Sequence, residues 1–211
     1  VFIAAAPPSD DDDDDDDVAV AQVLANAGVP ADVAALAAHA YNAGKAQNLT
    51  DKTVFSVVDF ALPSVDKRLW IVDVQTGALL VNDRVSHGIG SQDPNDPTMA
   101  STFSNTPGSE QSSLGLSLTA EVYDGTHPHS LRLDGLEDSN SNMRDRAIVM
   151  HGADYAEDSF VDDNGYLGRS NGCFAVAQSR EVNIVDVVKD GTLLWAYYPD
   201  PAWLTSSPFL Q

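Results

Sequence analysis

Two short apolar runs, Ala147-Ile148-Val149-Met150 and Phe174-Ala175-Val176-Ala177, bracket a polar, glycine-rich stretch that holds the chain's one cysteine and one of its five histidines. That arrangement constrains the fold more than any other feature of the 211 residues. Each run is too short for a core helix and suits a buried pleated surface, so each reads as a strand. His151 then ends one strand and is followed by Gly152, while Cys173 stands where Gly168-Arg169-Ser170-Asn171-Gly172 turns into the other. An imidazole so placed can reach a thiol on a neighbouring strand. Such a pair raises the thiolate fraction and supplies a general acid for a leaving amine. Gly172 permits close approach of backbone or ligand, and the amides of Gly172 and Cys173 can face a developing oxyanion. The same residue types also read as a small buried hydrophobe and a hydrogen-bonded histidine, and alone they do not decide between the two.

The remainder of the chain supplies more strands. Val54 to Phe60, Arg68 to Val74 and Ala78 to Val85 are rich in branched and aromatic residues, and Gln75-Thr76-Gly77 makes a compact turn between antiparallel neighbours. Leu114 to Tyr123, Ser130 to Leu133 and Thr192 to Tyr198 complete the set. Val182, Val185 and Val188 at intervals of three predict a short helix within 178–189, ended by Gly191. Ser86 to Ser113 loses periodicity and reads as a long ordered loop, opened by His87, whose role is either to support a site or to pin the loop by a hydrogen bond. His127 and His129 flank Pro128 in a turn, without the Cys or carboxylate spacing of a metal site, so no metal and no cofactor is expected. The prolines and aromatics of 199–211 predict a tail that packs over the domain.

Towards the N-terminus the composition changes. Residues 18–50 are alanine-rich with helical spacing, punctuated by Gly28 and Pro30, and predict a helical hairpin ahead of a domain at 51–211. The Asp run at 10–17 repels itself and buries nothing, so 1–17 reads as a disordered acidic leader. Val1-Phe2-Ile3-Ala4-Ala5-Ala6-Pro7 resembles the end of a signal-peptide apolar region. The net charge is −21, still −13 without the Asp run, which disfavours nucleic acid and anionic lipid as partners. A single cysteine excludes an intrachain disulfide, and no apolar run is long enough to span a membrane.

The order of motifs adds a resemblance. Val58-Asp59-Phe60, Lys67-Arg68-Leu69-Trp70, Ser86-His87-Gly88-Ile89-Gly90-Ser91, Phe103-Ser104-Asn105, Ser112-Ser113-Leu114-Gly115 and Ser130-Leu131-Arg132-Leu133-Asp134-Gly135-Leu136 precede His151-Gly152 and Gly168-Arg169-Ser170-Asn171-Gly172-Cys173. In that order, over roughly residues 52 to 198, they resemble the L,D-transpeptidase catalytic-domain family of bacterial cell walls, in its murein L,D-transpeptidase catalytic-domain-like branch. The resemblance implies a mainly β domain, a two-sheet β-sandwich with the hairpin at its N-terminal side and one short helix after the cysteine. It implies a periplasmic or secreted protein acting on peptidoglycan stem peptides. Cys173 would be the nucleophile and His151 its base and then acid, oriented by the carbonyl of Gly152, with Gly172 and Cys173 as oxyanion donors. Arg169 would pair with a substrate carboxylate, or else with Asp162 or Asp163; Ser170, Asn171, Tyr155 and His87 would line or support the site. The products would be 3-3 crosslinks, or trimmed stems if water is the acceptor; a non-catalytic wall-binding protein is the reading of another class. Two residues depart from the family's pattern: Asn171 stands where many members have histidine, and Phe174 where the branch commonly has proline.

Overall fold

In the computed structural model residues 10–211 are described, with side chains from Asp16 onward; the signal-like segment lies outside them. Helices α1 (Asp10–Asn26) and α2 (Ala31–Ala46) form the hairpin, turning through Gly28 at φ 97°. Helix α1 thus begins at Asp10, ahead of residue 18 where the hairpin was expected to start. The helix continues directly into the apolar Val18-Ala19-Val20. Asp17 ties the two helices, accepting from Asn42 Nδ2 at 2.8 Å and facing His39 Nδ1 at 2.6 Å.

All the strands join one sheet, where two packed sheets were expected. They are β1 (Val54–Asp59), β2 (Leu69–Asp73), β3 (Ala78–Asp83), β4 (Gly115–Tyr123), β5 (Ser130–Gly135), β6 (Val149–Ala153), β7 (Phe174–Ala177) and β8 (Leu193–Tyr197), in the spatial order β3-β2-β1-β8-β4-β5-β6-β7. The sheet curls until its two edges meet: the chain leaving β3 donates from Ser86 N to Ala175 O of β7 at 2.8 Å. A closing sheet hides its edges and needs no second sheet to cover it. Helices α3 (Asp158–Asn164), α4 (Glu181–Val188) and α5 (Pro201–Ser206) make the fold mixed α/β instead of mainly β. The expected helix at 178–189 is α4, and α3 lies in what reads from sequence as loop. The tail does pack on the domain, through α5, with Trp203 and Phe209 buried.

One core joins hairpin and sheet. Leu24, Val33, Ala37 and Tyr41 belong to the same buried cluster as Phe55, Leu116, Leu193 and Trp195. The alanines of α2 let the helix lie close on the sheet, and Gly44 brings it nearest: a Cβ there would lie 2.9 Å from Leu193 Cδ1. Tyr41 packs its ring 5.1 Å from that of Phe55 and donates its hydroxyl to Lys52 O. Trp195 is fully buried at the centre of β8, with its ring 5.9 Å from that of Trp203 in α5. Because hairpin and sheet share this core, chemical denaturation should give coincident helix and tryptophan transitions, and Trp195→Ala should lower stability by about 3–5 kcal/mol. Two separated transitions would show instead that the hairpin folds by itself.

Candidate active site

Strands β6 and β7 are parallel neighbours, with Met150 opposite Phe174 and His151 opposite Ala175. Parallel strands cannot be joined by a tight turn and need a crossover of a dozen residues or more. Asp154 to Cys173 is that crossover, holding a 3-10 turn (Asp154–Ala156), α3 and the glycine-flanked approach to the thiol. His151 is the third residue of β6, Cys173 directly precedes β7, and both line one cleft. That cleft has a volume of about 490 Å³. It is lined by Cys173, His151, Tyr155, Arg169, Ser170 and Asn171, and also by Tyr123, Thr126, His127, Ser130, Arg146, Ala147 and Val149.

The approach to the thiol is clamped from several sides. Ser170 Oγ donates to Cys173 O at 2.7 Å and accepts from Gly172 N at 3.1 Å. Ser170 N donates to His87 O and Ile89 N to Ser170 O, which fastens the long loop after β3 to the same turn. Gly172 has φ 114°, and a Cβ there would lie 2.6 Å from Gln111 O, so glycine is required twice over. Gly152 has as little room, with Glu181 Oε2 at 2.6 Å from a Cβ built on it.

The imidazole's protonation follows from its partner. His151 Nδ1 lies 2.9 Å from Gly152 O, and a carbonyl only accepts, so Nδ1 carries the proton and Nε2 is left with its lone pair. Burial is the main cause holding His151 below the usual histidine range; the Gly152 carbonyl opposes it and His127 adds to it. His127 stacks on His151 with ring centroids 4.0 Å apart and planes at 18°. The thiol donates to Ala147 O at 3.5 Å. Burial pushes Cys173 up, while the Val149 amide and the Arg146 guanidinium pull it back. Ala147 itself holds φ 53°, a conformation costly for a residue with a Cβ.

Not every residue singled out in the sequence serves as expected. The Gly172 N–H is taken up by Ser170 Oγ, so of the two amides assigned to an oxyanion only that of Cys173 remains. Ser170 lines the cleft, but both hydroxyl bonds are spent within its own turn. His87 is fully buried beneath the loop and does not line the cleft; its Nδ1 accepts from Arg68 Nη2 at 2.9 Å. Arg169 lays its guanidinium over the Tyr166 ring at 4.4 Å, and among the described residues it makes no ion pair with Asp162 or Asp163. Its Nη1 is buried without a hydrogen-bond partner. The site also draws on residues that the sequence does not assign to it. His127 arrives on the β4–β5 turn, Arg146 precedes β6, and Glu181, the first residue of α4, is buried behind Gly152. The imidazole at the turn was visible as a motif, but nothing in the sequence marks Arg146 or Glu181.

The cleft is also electrostatically distinct. Two arginines and two histidines line it and, among the described residues, no carboxylate does, although the chain carries −21 overall.

A sequence profile of the L,D-transpeptidase catalytic domain matches residues 25–197. No curated protein matches the chain. Among solved structures, an L,D-transpeptidase from Mycobacterium smegmatis matches at 14% identity and a TM-score of 0.42, covering 69% of this chain and 59% of that one. The transpeptidase LdtMt1 in complex with imipenem matches at 13% and 0.42, with the same coverages of 69% and 59%. An L,D-transpeptidase from Stackebrandtia nassauensis matches at 12% and 0.41, covering 88% and 79%. The chain thus spans 59% of the length of the first two.

The burial of His87 has a consequence for stability. Desolvation first, then the charges of Arg68 and Arg169, bring its pKa from 6.5 down to about 3. Protonation therefore favours the unfolded chain: the stability due to neutral His87 is complete above pH 6.5 and declines as the pH falls towards 3. In that window His87 contributes a slope of about 1.4 kcal/mol per pH unit. His87→Asn keeps an acceptor for Arg68 and removes the titration, so urea unfolding between about pH 6.5 and about pH 4.5 should show a shallower dependence in the variant. Equal slopes would contradict the assignment.

Proposed function

The chain belongs to the L,D-transpeptidase catalytic-domain family, and from that membership and the geometry of the cleft we infer that it is a cysteine-dependent L,D-transpeptidase of peptidoglycan. One observation carries the reading: the bond from His151 Nδ1 to Gly152 O leaves Nε2 basic in the cleft that Cys173 shares. Rotation of the Cys173 side chain turns its thiol from Ala147 O towards that nitrogen. His151 takes the proton as the sulfur attacks the carbonyl between the third, L-configured centre of a tetrapeptide stem and the terminal D-alanine. The Cys173 amide faces the oxyanion, with the turn held open to it by Ser170. The protonated imidazole then gives its proton to the departing D-alanine amine, and a thioester remains. An amine from a neighbouring stem's diamino-acid side chain resolves it to a 3-3 crosslink, returning its own proton through His151.

The lining supports a carboxylate-bearing substrate. Arg169 lines the cleft with a planar guanidinium held on Tyr166, suited to a stem carboxylate, and no acidic side chain of the described cleft opposes it. Such local recognition answers the repulsion that a chain of −21 exerts at long range. Tyr155 and Asn171 stand at the margins where the rest of the stem would lie. Action on peptidoglycan places the protein in the cell envelope, in the periplasm or secreted. If water reaches the thioester before an amine does, the same residues make an L,D-carboxypeptidase.

Incubation with a disaccharide-tetrapeptide followed by product analysis tests this. The expected product is a crosslinked dimer with release of D-alanine, abolished in Cys173→Ala and reduced at least about 100-fold in His151→Ala. Tripeptide alone would assign the carboxypeptidase, and no turnover together with retained binding to intact peptidoglycan would leave a wall-binding protein.

A further inference from the structure

Arg146 immediately precedes Ala147, whose carbonyl receives the Cys173 thiol at 3.5 Å, and its guanidinium lines the same cleft as that thiol. Unlike Arg169, it has spent its Nη donors. Nη1 donates to Ser104 O at 2.7 Å and Ser113 Oγ at 2.7 Å; Nη2 donates to Ser109 Oγ at 3.2 Å and Gln111 O at 2.6 Å. All four acceptors belong to the loop between β3 and β4. A guanidinium turned to grip a substrate carboxylate would strip that loop of these bonds, so this one cannot serve as a movable ligand. It is a fixed charge.

The loop that fixes it also bears on the turn before the thiol. Gln111 O, besides accepting from Arg146, is the atom a Cβ at Gly172 would strike, and Ser112 Oγ donates to Gly172 O at 3.4 Å. Charge and turn therefore move together if the loop is displaced.

Resting on the reading of Cys173 as nucleophile, we propose that Arg146 is a positioning residue: residues 104–113 hold its guanidinium as a stationary positive charge beside Cys173, so that the seating of this loop sets the reactivity of the thiol. Burial raises the cost of the thiolate, and Arg146 offsets part of it. The other titratable or charged groups lining the cleft with the thiol are Tyr123 from β4, His127 from the β4–β5 turn, His151 from β6, Tyr155 from the turn after it and Arg169 from the thiol's own loop. Of these, Arg146 alone is bonded to the loop between β3 and β4 through four acceptors.

Alkylation by iodoacetamide reports on Cys173 alone, because the chain has no other cysteine. Its rate against pH, read by intact mass, should have a midpoint about one unit higher in Arg146→Gln, so that alkylation below the midpoint is about tenfold slower. Arg146→Lys, which keeps the charge, should restore most of the shift. A folded Arg146→Gln protein, by circular dichroism, with the midpoint of the unmodified chain would overturn the proposal. Should Arg146→Gln fail to fold, Ser109→Ala takes its place: it removes one acceptor and should raise the midpoint by about 0.3 unit, and an unmoved midpoint there overturns the proposal equally. The readout needs no peptidoglycan. Loss of stem turnover with the shift intact would count against the proposed function only, and turnover with no shift would count against the role of Arg146 only.

Discussion

The parallel pairing of β6 with β7 is the constraint on which the site depends. It sets His151 and Cys173 on adjacent strands and obliges the chain to travel away and return between them. The 21 residues between histidine and cysteine make that excursion, which also brings Tyr155 and Arg169 to the cleft. The pairing also buries Phe174 against Phe60, with ring centroids 5.9 Å apart, so the chain is anchored in the core one residue beyond Cys173.

A second set of contacts holds the turn before Cys173. Where the sheet's edges meet, Ser86, His87 and Ile89 bond to Ala175 and Ser170, and the loop that follows returns over Gly172. Arg68 completes this seam from beneath: fully buried, it donates to Leu62 O, Val85 O and His87 Nδ1, and burial lowers its pKa to about 9. These buried polar groups serve the shape of the loop, and the shape of the loop serves the thiol. Such dependence of a reactive group on rigid surroundings is what preorganisation requires.

Much of this was legible in the residues. Branched and aromatic runs marked the strands, because a pleated half-buried surface selects those side chains, and Gly172 beside the one cysteine marked the turn. Sheet count was not legible, since alternation tells which face of a strand is buried but not whether the sheet curls to meet itself. Helix α3 was hidden because DSFVDDN has no buried residue to impose a period, although Gly165 at φ 77° ends it in the left-handed conformation common after helices. His87 resembled a site residue by motif, yet its neutral ring is a strut under the loop. The engagement of the Gly172 amide by Ser170 is a local turn bond two residues long, whereas the arrival of Arg146 and Glu181 is a product of tertiary folding with no local signal.

The central claim is that Cys173, with His151 beside it, is an accessible and activated nucleophile for acyl transfer. Intact-mass spectrometry after exposure to a carbapenem tests it most directly, because the strained lactam acylates a competent thiol without needing the native acceptor. The account predicts a single covalent adduct on the unmodified chain and none on Cys173→Ala. An unmodified chain that stays free of adduct while its thiol remains reduced would contradict it.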